Sequence, residues 1–168
     1  RINKKDDWKV DVFYMDFKNF FQWQPDANGR PLVRVNGGKF RNVGIEAEYG
    51  RRLSDRLKWN VSGSYSNPRQ KEMNESYWKQ AAPKLQFTTG IRYESPTWEA
   101  GTSFSFVTKR LRNRDGGLNP NIALWNAYVG YHFNKDATLR LDARNLLGRH
   151  NVITNGDYEY WGDPFTYE

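Results

Sequence analysis

The chain of 168 residues contains no cysteine and no long apolar run. Without cysteine it can form neither a disulfide framework nor a metal site built on thiolates. No stretch approaches the ~20 consecutive apolar residues that a membrane-spanning helix requires. The opening sequence, RINKKDD, lacks the apolar core of a signal peptide, so we expect a mature or excised segment.

Histidine is almost missing, and the groups that usually carry catalysis are scattered. His132 and His150 are the only histidines, and neither has the spacing of a metal ligand. No glycine-rich phosphate loop is present. Glu46 and Glu48 could resemble a paired-carboxylate site, but we expect them to be solvated or paired with basic side chains. We therefore expect no enzyme activity, no metal site and no cofactor.

Aromatic residues, in contrast, are abundant. They make up 16% of a chain whose hydrophobic fraction is 38% and whose mean hydropathy is −0.92. Such a low hydropathy is typical of disordered chains, but those chains are poor in aromatic residues. Two folded classes remain: a soluble all-β protein, or a transmembrane β-barrel, in which only every second strand residue is apolar.

The stretch 122–148 shows alternation most clearly. Its odd positions before the turn are apolar, namely Ala123, Trp125, Ala127, Val129, Tyr131 and Phe133. After the turn Asn134-Lys135-Asp136 the odd positions are Leu139, Leu141 and Ala143, and they alternate with Thr138, Arg140, Asp142 and Arg144. Strict period two predicts a β-hairpin with one apolar and one wet face.

Five further strands follow from the same pattern, at 8–23, 32–50, 57–65, 85–93 and 98–106, with a bulge indicated at Gly37-Gly38. The connections alternate in length. Long ones cover 25–31, 67–82, 109–120 and the tail 149–168, and short ones lie near 53, 96 and 135. An outer-membrane barrel has brief periplasmic turns and longer outer loops, whereas a soluble sandwich has no reason to place every short turn at one end.

Aromatic residues gather beside the short turns, namely Tyr49, Trp59, Tyr93, Trp98, Tyr131 and Phe133. An interfacial girdle belongs there, and ordinary cross-strand packing is the alternative. The opposite face is too polar for a dry core. It carries Lys58, Asn60, Ser62, Ser64, Lys84, Gln86, Thr88, Arg92 and Glu94. Such a face suits a wide lumen or contact with a polar plug.

Three stretches together resemble one known family. Asn42-Val43-Gly44-Ile45-Glu46-Ala47-Glu48 is similar to the N-x-G-x-E-x-E strand of TonB-dependent outer-membrane receptors. Ala82-Pro83, and Leu139-x-Leu141 leading to Asn145-Leu146-Leu147-Gly148, resemble the closing hairpins of that family. Tyr160-Trp161-Gly162-Asp163-Pro164 resembles the loop before its final strand, although Phe165 stands where the family usually has Arg.

The resemblance implies an all-β fold in the Gram-negative outer membrane. Residues 1–168 would be the C-terminal part of the receptor barrel, an antiparallel up-and-down transmembrane β-barrel segment with about seven strands of a larger barrel of about 22 strands. The plug domain and the last strand would be absent. Because single-chain bacterial barrels have an even number of strands, the rest of the barrel is expected to complete the wall.

The resemblance also implies active transport of a scarce nutrient, typically an iron–siderophore chelate. The expected partners are that small-molecule chelate, outer-membrane lipid and lipopolysaccharide, and the TonB complex, which would be reached through the missing N-terminal part. No nucleic acid is expected. Two alternatives remain: a soluble β-sandwich binding module with exposed aromatics, which would bury Val61, Ile91 and Leu141 in a dry interior, and a small outer-membrane enzyme or pore.

Loop location supplies the candidate ligand-binding residues. Tyr77, Trp78, Tyr158 and Trp161 would offer apolar contact near the mouth, and Arg110, Arg112 and Arg114 would attract an anionic ligand. The net charge of +7 is spread along strands and loops, as on a solvated surface. The arginine loop could equally be solvated or meet lipopolysaccharide phosphates, and it is only a weak nucleic-acid signal.

Overall fold

A computed structural model of the chain describes residues 5–24, 33–108, 110–111, 118–149, 152–155 and 158–161. All regular structure in these residues is β-strand. The strands are β1 Asp6–Gln24, β2 Val33–Arg52, β3 Leu57–Ser66, β4 Arg69–Lys71, β5 Lys79–Gln80, β6 Leu85–Glu94, β7 Trp98–Val107, β8 Arg110–Leu111, β9 Leu118–Asn119, β10 Ile122–His132, β11 Thr138–Ala143, β12 Val152–Asn155 and β13 Tyr158–Trp161.

Seven longer strands form one antiparallel sheet. Its order is β1-β2-β3-β6-β7-β10-β11, so consecutive long strands are neighbours. This confirms the predicted up-and-down arrangement, and each predicted strand is present within a few residues of its expected bounds. The loop predicted at 25–31 lies outside the described residues.

Cross-strand pairing places residues of one kind side by side. One row of directly paired residues consists of Trp8, Tyr49, Val61, Thr89, Phe104 and Trp125. The next row along the strands consists of Lys9, Glu48, Ser62, Thr88, Ser105 and Leu124. Successive strand residues point to opposite sides of a sheet. We call the side of the first row the apolar face and the side of the second row the wet face.

No second layer covers the apolar face in the described part of the chain. Ile91 is 43% exposed and Leu141 is 70% exposed, while Val61 is half-buried. Among the described residues, the buried apolar ones are small, namely Ala123, Pro68, Gly38 and Gly130. A sandwich would bury these side chains against a second sheet, so the structure does not favour the soluble alternative. No helix within the described ranges is long and apolar enough to span a membrane.

The three short turns lie at one end of the sheet and are closed by side-chain oxygens. Ser54 Oγ accepts a hydrogen bond from the backbone N–H of Leu57 at 3.1 Å, and Ser95 Oγ accepts one from that of Trp98 at 2.9 Å. Asn134 Oδ1 closes the third turn by accepting the N–H of the residue two positions later at 2.8 Å. These local bonds explain why Ser and Asn mark the turns in the sequence.

The turns are also staggered by a constant amount. Lys58, the last paired residue beside the first turn, pairs with Arg92, which lies two residues short of Glu94 beside the second turn. Glu94 pairs with Glu99, and Glu99 pairs with Gly130 of β10. Gly130 again lies two residues short of the last pair beside the third turn, which is at His132. A shift of about 6.7 Å over two strand spacings of about 4.8 Å tilts the strands by about 35° from the normal to the line of turns. Transmembrane barrels have strand tilts in this range.

The apolar face has the height of a membrane band. Along β10 and the turn that follows, apolar residues occupy the odd positions from Ala123 to Phe133, a span of ten residue steps. On β2 the odd positions from Val43 to Leu53 in the first turn span the same ten steps, with one charged residue near the lower edge, Arg51, which is paired with Asp6 at 3.5 Å. At about 3.3 Å per residue and a tilt of about 35°, the band is about 27 Å high, against ~25 Å for outer-membrane barrels.

Aromatic rings line the turn-side edge of the apolar face. Tyr49 packs edge to face on Trp59, with 5.5 Å between ring centroids. Trp98 and Phe133 pack on Tyr131 at 4.7 Å and 4.8 Å. The rings therefore occupy the girdle position and also pack together within the sheet, so the two expected arrangements coexist.

The predicted bulge is present, together with a second irregularity opposite it. Between the pairs Lys18–Lys39 and Phe21–Asn36, β1 carries an extra residue at Asn19 and β2 an extra residue at Gly37. Asn19 has a φ of 59°, which Asn tolerates better than most residues.

The long connections contain short strands that the sequence did not reveal. β4 pairs with β2 and β5 pairs with β4, so this hairpin prolongs β3 and β6 beyond the apolar band. Likewise β8 pairs with β9 in the loop after β7, and β12 pairs with β13 in the tail. β13 thus includes part of the segment predicted as a loop, whereas Gly162, Asp163 and Pro164 lie outside the described residues.

Asn145 ends β11 and turns the chain out of the sheet. It has a φ of 50° and is buried at 8% exposure. Its backbone N–H donates to Asn126 Oδ1 at 2.9 Å, and its side-chain Nδ2 donates to the carbonyl oxygen of Arg149 at 3.0 Å. Gly148 follows with a φ of 59°. The Asn-Leu-Leu-Gly stretch is therefore a left-handed exit turn, which Asn and Gly adopt at low cost.

Candidate functional site

The wet face is most densely charged near the short turns. Arg140 donates hydrogen bonds to Asp142 at 3.0 Å and to Glu99 of β7 at 3.4 Å. Its guanidinium also lies over the ring of Tyr128, with 3.8 Å between Cζ and the ring centroid. Three strands therefore contribute to one polar cluster on the side away from the apolar band.

A second charged group lies nearby on β3 and β6. Glu94 contacts Lys58 Nζ at 3.3 Å and the guanidinium of Arg92 at 2.6 Å. These groups are exposed, so each pair alone contributes little to stability because water screens it. Together they place positive and negative side chains on one surface. Such a surface is stable against water or a polar protein partner but not against hydrocarbon.

Two glycines make room for the cluster of Arg140. A Cβ at Gly101 would lie 2.6 Å from Cε1 of Tyr128, and a Cβ at Gly130 would lie 2.7 Å from Cγ of Glu99. Each glycine is the direct cross-strand partner of the residue whose side chain it admits. The missing side chains therefore let Tyr128 and Glu99 lean over the sheet toward Arg140.

Farther from the turns the wet face forms an open hollow rich in carboxylates, hydroxyls and amides. Its polar lining consists of Glu46, Glu48, Ser62, Ser64, Gln86, Thr88 and Ser105. Glu46 and Glu48 come from the N-x-G-x-E-x-E stretch, and both are exposed. A Cβ at Gly44 would lie 2.7 Å from Cζ of Phe13 and 2.6 Å from Cβ of Ser66. The motif thus supplies two carboxylates and a gap that admits a ring from β1.

Tyr77 and Trp78 lie in the hairpin that joins β4 to β5. Tyr77 is 60% exposed, and Lys79 Nζ lies 5.6 Å from its ring centroid. The guanidinium of Arg41 on β2 lies 5.5 Å from the ring of Trp78. These two candidates are thus placed together beyond the apolar band, each beside a cation.

An ion pair between Lys79 and Glu75 holds the tip of this hairpin. The hydrogen bond from Lys79 lowers the pKa of the Glu75 carboxyl below its ordinary value, and the same bond raises the pKa of Lys79. Glu75 also accepts a hydrogen bond from the backbone N–H of Glu72 at 3.4 Å. Both groups are therefore charged at neutral pH.

The other candidates are placed only by their backbones or not at all. Arg110 lies in β8, and Tyr158 and Trp161 lie in β13. Because β9 lies close to β12, the structure brings their two hairpins together. Arg112 and Arg114 fall outside the described residues. The ligand-binding role of all seven candidates stays a prediction.

No group of three or more histidine, aspartate or glutamate side chains is placed to hold a metal ion in the part of the chain that the structure describes. His132 lies on the wet face, and its Nδ1 is 2.8 Å from Oγ1 of Thr138.

Sequence reasoning missed the cluster around Arg140. Arg140 and Asp142 were assigned to the wet face, but Glu99 and Tyr128 were not joined to them. The signal lies in the register. Tyr128 lies opposite Asp142, and Gly130 lies between Arg140 on one side and Glu99 on the other. Turn length fixes that register.

Comparisons with known proteins agree with this geometry. The sequence profile of the family described as "TonB dependent receptor-like, beta-barrel" matches residues 2–146. A comparison with curated protein sequences returns no match.

Solved structures share the fold. The chain is similar to the ferric citrate transporter FecA in its unliganded form, at a TM-score of 0.74 and 20% identity over 92% of this chain and 26% of that one. It is also similar to the ferric-catecholate import receptor Fiu from E. coli K12, at a TM-score of 0.66 and 17% identity over 90% of this chain and 22% of that one. For the copper transporter OprC the TM-score is 0.64 and the identity is 20%, over 86% of this chain and 24% of that one. The chain spans about a quarter of the length of each relative.

These findings confirm the all-β barrel-segment fold and the family resemblance. The family consists of receptors and transporters rather than enzymes, and its barrels reside in the Gram-negative outer membrane. Because its profile covers most of the sequence, the chain belongs to the family of TonB-dependent receptor-like β-barrels.

Proposed function

We propose that the chain is the C-terminal part of the barrel of an outer-membrane receptor that imports a scarce metal chelate with energy supplied through TonB. The observation that supports this most directly is the sheet itself. In the described residues its apolar face is uncovered and its other face is polar, and the short turns of the three hairpins β2–β3, β6–β7 and β10–β11 lie at one end. A plug domain upstream and the remaining strands would complete the receptor.

The apolar face would meet the hydrocarbon of the outer membrane. Its height of about 27 Å matches the apolar band of known barrels, and the rings of Trp59, Trp98 and Tyr131 lie where the interface begins. The short turns would face the periplasm and the long hairpins the exterior.

The wet face would line the lumen and contact the plug. Arg140, Glu94 and Lys58 offer both signs of charge at the periplasmic end, where a folded polar domain finds partners. The carboxylates of Glu46 and Glu48 lie about halfway up the wall.

The imported ligand would be an iron chelate. The relatives named above are a ferric citrate transporter, a ferric-catecholate import receptor and a copper transporter, so two of the three ligands contain iron. Ferric chelates are often anionic, which suits the arginines at 110, 112 and 114. Tyr77, Trp78, Tyr158 and Trp161 would pack on the apolar parts of the chelate.

Uptake by cells that carry the intact receptor as their sole iron receptor tests the proposal. Radioactive iron is supplied as ferric citrate or as a ferric catecholate, with copper in a parallel assay. We expect uptake of one iron chelate, and we expect it to stop when TonB is deleted. Uptake that persists without TonB, or uptake of copper alone, contradicts the proposal.

The arginine loop is tested in the same cells. Replacing Arg110, Arg112 and Arg114 with alanine should weaken the apparent affinity for the imported chelate roughly tenfold, because each lost charge reduces attraction to an anion. The matched control removes three basic residues from the short turns, in the variant R52A/R56A/K135A. Equal affinity of both variants and the unaltered receptor would remove the arginines from the binding role.

A further inference from the structure

Basic side chains form two adjacent rows beyond the upper edge of the apolar face. The first row consists of the directly paired residues Asp16, Arg41 and Arg69. The second consists of Lys18, Lys39 and Lys71, which are also paired directly across β1, β2 and β4. We call these six residues the basic rows. They hold five cations and one carboxylate.

The basic rows lie on the apolar side of the sheet. Pairing continues without a bulge from the last apolar row, Tyr14–Val43, to the pair Lys18–Lys39, so every second residue keeps the same direction. The hydroxyl of Tyr14 donates to Asp16 Oδ2 at 3.1 Å, which shows that the two side chains share a face. The rows begin about 7 Å and about 13 Å beyond that last apolar row along the strands.

The arrangement is unfavourable without an anion. Like charges directly opposite each other destabilise a sheet, and Lys39 has a lysine on each side. Within the basic rows only Asp16 is acidic, and it is bound to Arg41 at 3.1 Å, which leaves the Arg41 side chain 52% exposed. The nearby carboxylate of Glu75 is engaged by Lys79 in the hairpin tip. Arg69 donates to Asn67 Oδ1 at 3.0 Å and Lys71 to the carbonyl oxygen of Ser76 at 3.3 Å, but both acceptors are neutral and leave the charge uncompensated. An external anion would relieve the repulsion between these cations.

We propose that the basic rows bind the phosphate groups of the phosphorylated glycolipid in the outer leaflet. The proposal rests on the orientation proposed above, in which the apolar face meets lipid and the long hairpins face outward. Phosphates of that leaflet lie just beyond the hydrocarbon, at the level of the basic rows. The lysines provide point charges, Arg41 and Arg69 provide forked donors, and Trp78 packs on Arg41 as an interfacial aromatic residue.

Lipid binding to the purified intact receptor in detergent tests this assignment. The probes are lipid A with its phosphates, the same lipid A without phosphates, and inorganic phosphate. The test variant is K18Q/K39Q/K71Q. The controls are K18R/K39R/K71R, which keeps the charge, and K9Q/K84Q/K135Q, which removes two lysines from the wet face and one from the third turn. The urea midpoint of each variant shows that it is folded.

We expect the test variant to bind phosphorylated lipid A roughly tenfold to a hundredfold more weakly than the unaltered receptor, because each cation near a charged membrane surface contributes substantially. Both controls should bind it normally, and dephosphorylated lipid A should bind all forms alike. Unchanged binding by the test variant, or inorganic phosphate that binds as tightly as the lipid, would overturn the assignment. If neither lipid binds any form, the assignment is overturned as well.

Discussion

Replacing Ile91 with arginine would measure what the apolar face meets. Ile91 lies on that face, paired with Trp59 and Thr102, and is 43% exposed. It is three residues from the last pair beside the second turn and four from the lower edge of the band, which on β10 lies one residue past the last pair, at Phe133. With the strand tilt and rise used above, it lies about 11 Å above the lower edge of a band about 27 Å high, which is within a few ångströms of the middle.

An arginine at mid-membrane depth in a barrel costs about 2–4 kcal/mol, and the cost falls to about 0–1 kcal/mol near the interfaces. We therefore expect I91R to lower the free energy of unfolding of the intact receptor in lipid vesicles by about 3 kcal/mol, which is a factor of about 150 in the equilibrium constant. The shift in the urea midpoint at constant slope measures it.

Two controls separate depth from face. Leu139→Arg places the same charge on the same face beside the third turn, where we expect about 0–1 kcal/mol. Ser103→Arg places it at nearly the same depth on the wet face, where water or polar side chains can solvate it. If I91R is as mild as S103R, the face assigned to lipid is wrong. If I91R and L139R cost the same, the assigned depth is wrong.

Three further predictions concern single positions. Gly101→Ala should cost about 1–3 kcal/mol of receptor stability, because its Cβ would meet the opposing ring at 2.6 Å, whereas Gly50→Ala, with nothing within 4 Å, should be nearly neutral in the same urea titration. Asn145→Ala should cost about 1–2 kcal/mol and Asn145→Gly less, since only glycine keeps the φ of 50° without strain; equal losses in thermal unfolding would show that the side-chain hydrogen bond dominates. Glu75 has a lowered pKa, so its ion pair stabilises the hairpin above the ordinary carboxyl value of 4.5 and loses this effect as the pH falls through the lowered value. Amide exchange of β4 and β5, corrected for intrinsic rates, should therefore accelerate in acid, and Glu75→Gln should show the fast exchange already at neutral pH; identical profiles for both forms would refute the role of the pair.

Alternation predicted the long strands because each has one solvated and one apolar side. In β10 the apolar odd positions from Ala123 to Tyr131 predict a strand, and the turn after them is marked by Asn134. The short strands could not be predicted this way. β4 consists of Arg69, Gln70 and Lys71, which are polar on both sides, so no alternation reports that the hairpin continues beyond the membrane band.

The candidate site was only partly accessible from the sequence. Loop position singled out Tyr77 and Trp78 but gave no sign that Trp78 would pack on Arg41, since the two are far apart in the chain. The basic rows escaped notice for the same reason. Lys18, Lys39 and Lys71 become neighbours only through the pairing of three strands, and that pairing depends on the residue count of the intervening loops.

The constant stagger of the hairpins determines how such a wall can change in size. Each unit of two strands and one brief turn reproduces the offset of the unit before it. A duplicated or deleted unit would therefore leave the tilt of the neighbouring strands unchanged, and each of their residues would stay on the same face. Loss of a single strand would instead either bring two parallel strands together or invert every later strand, which would move the later brief turns to the outer rim. Gene duplication and loss in proteins built this way should therefore proceed by whole hairpins.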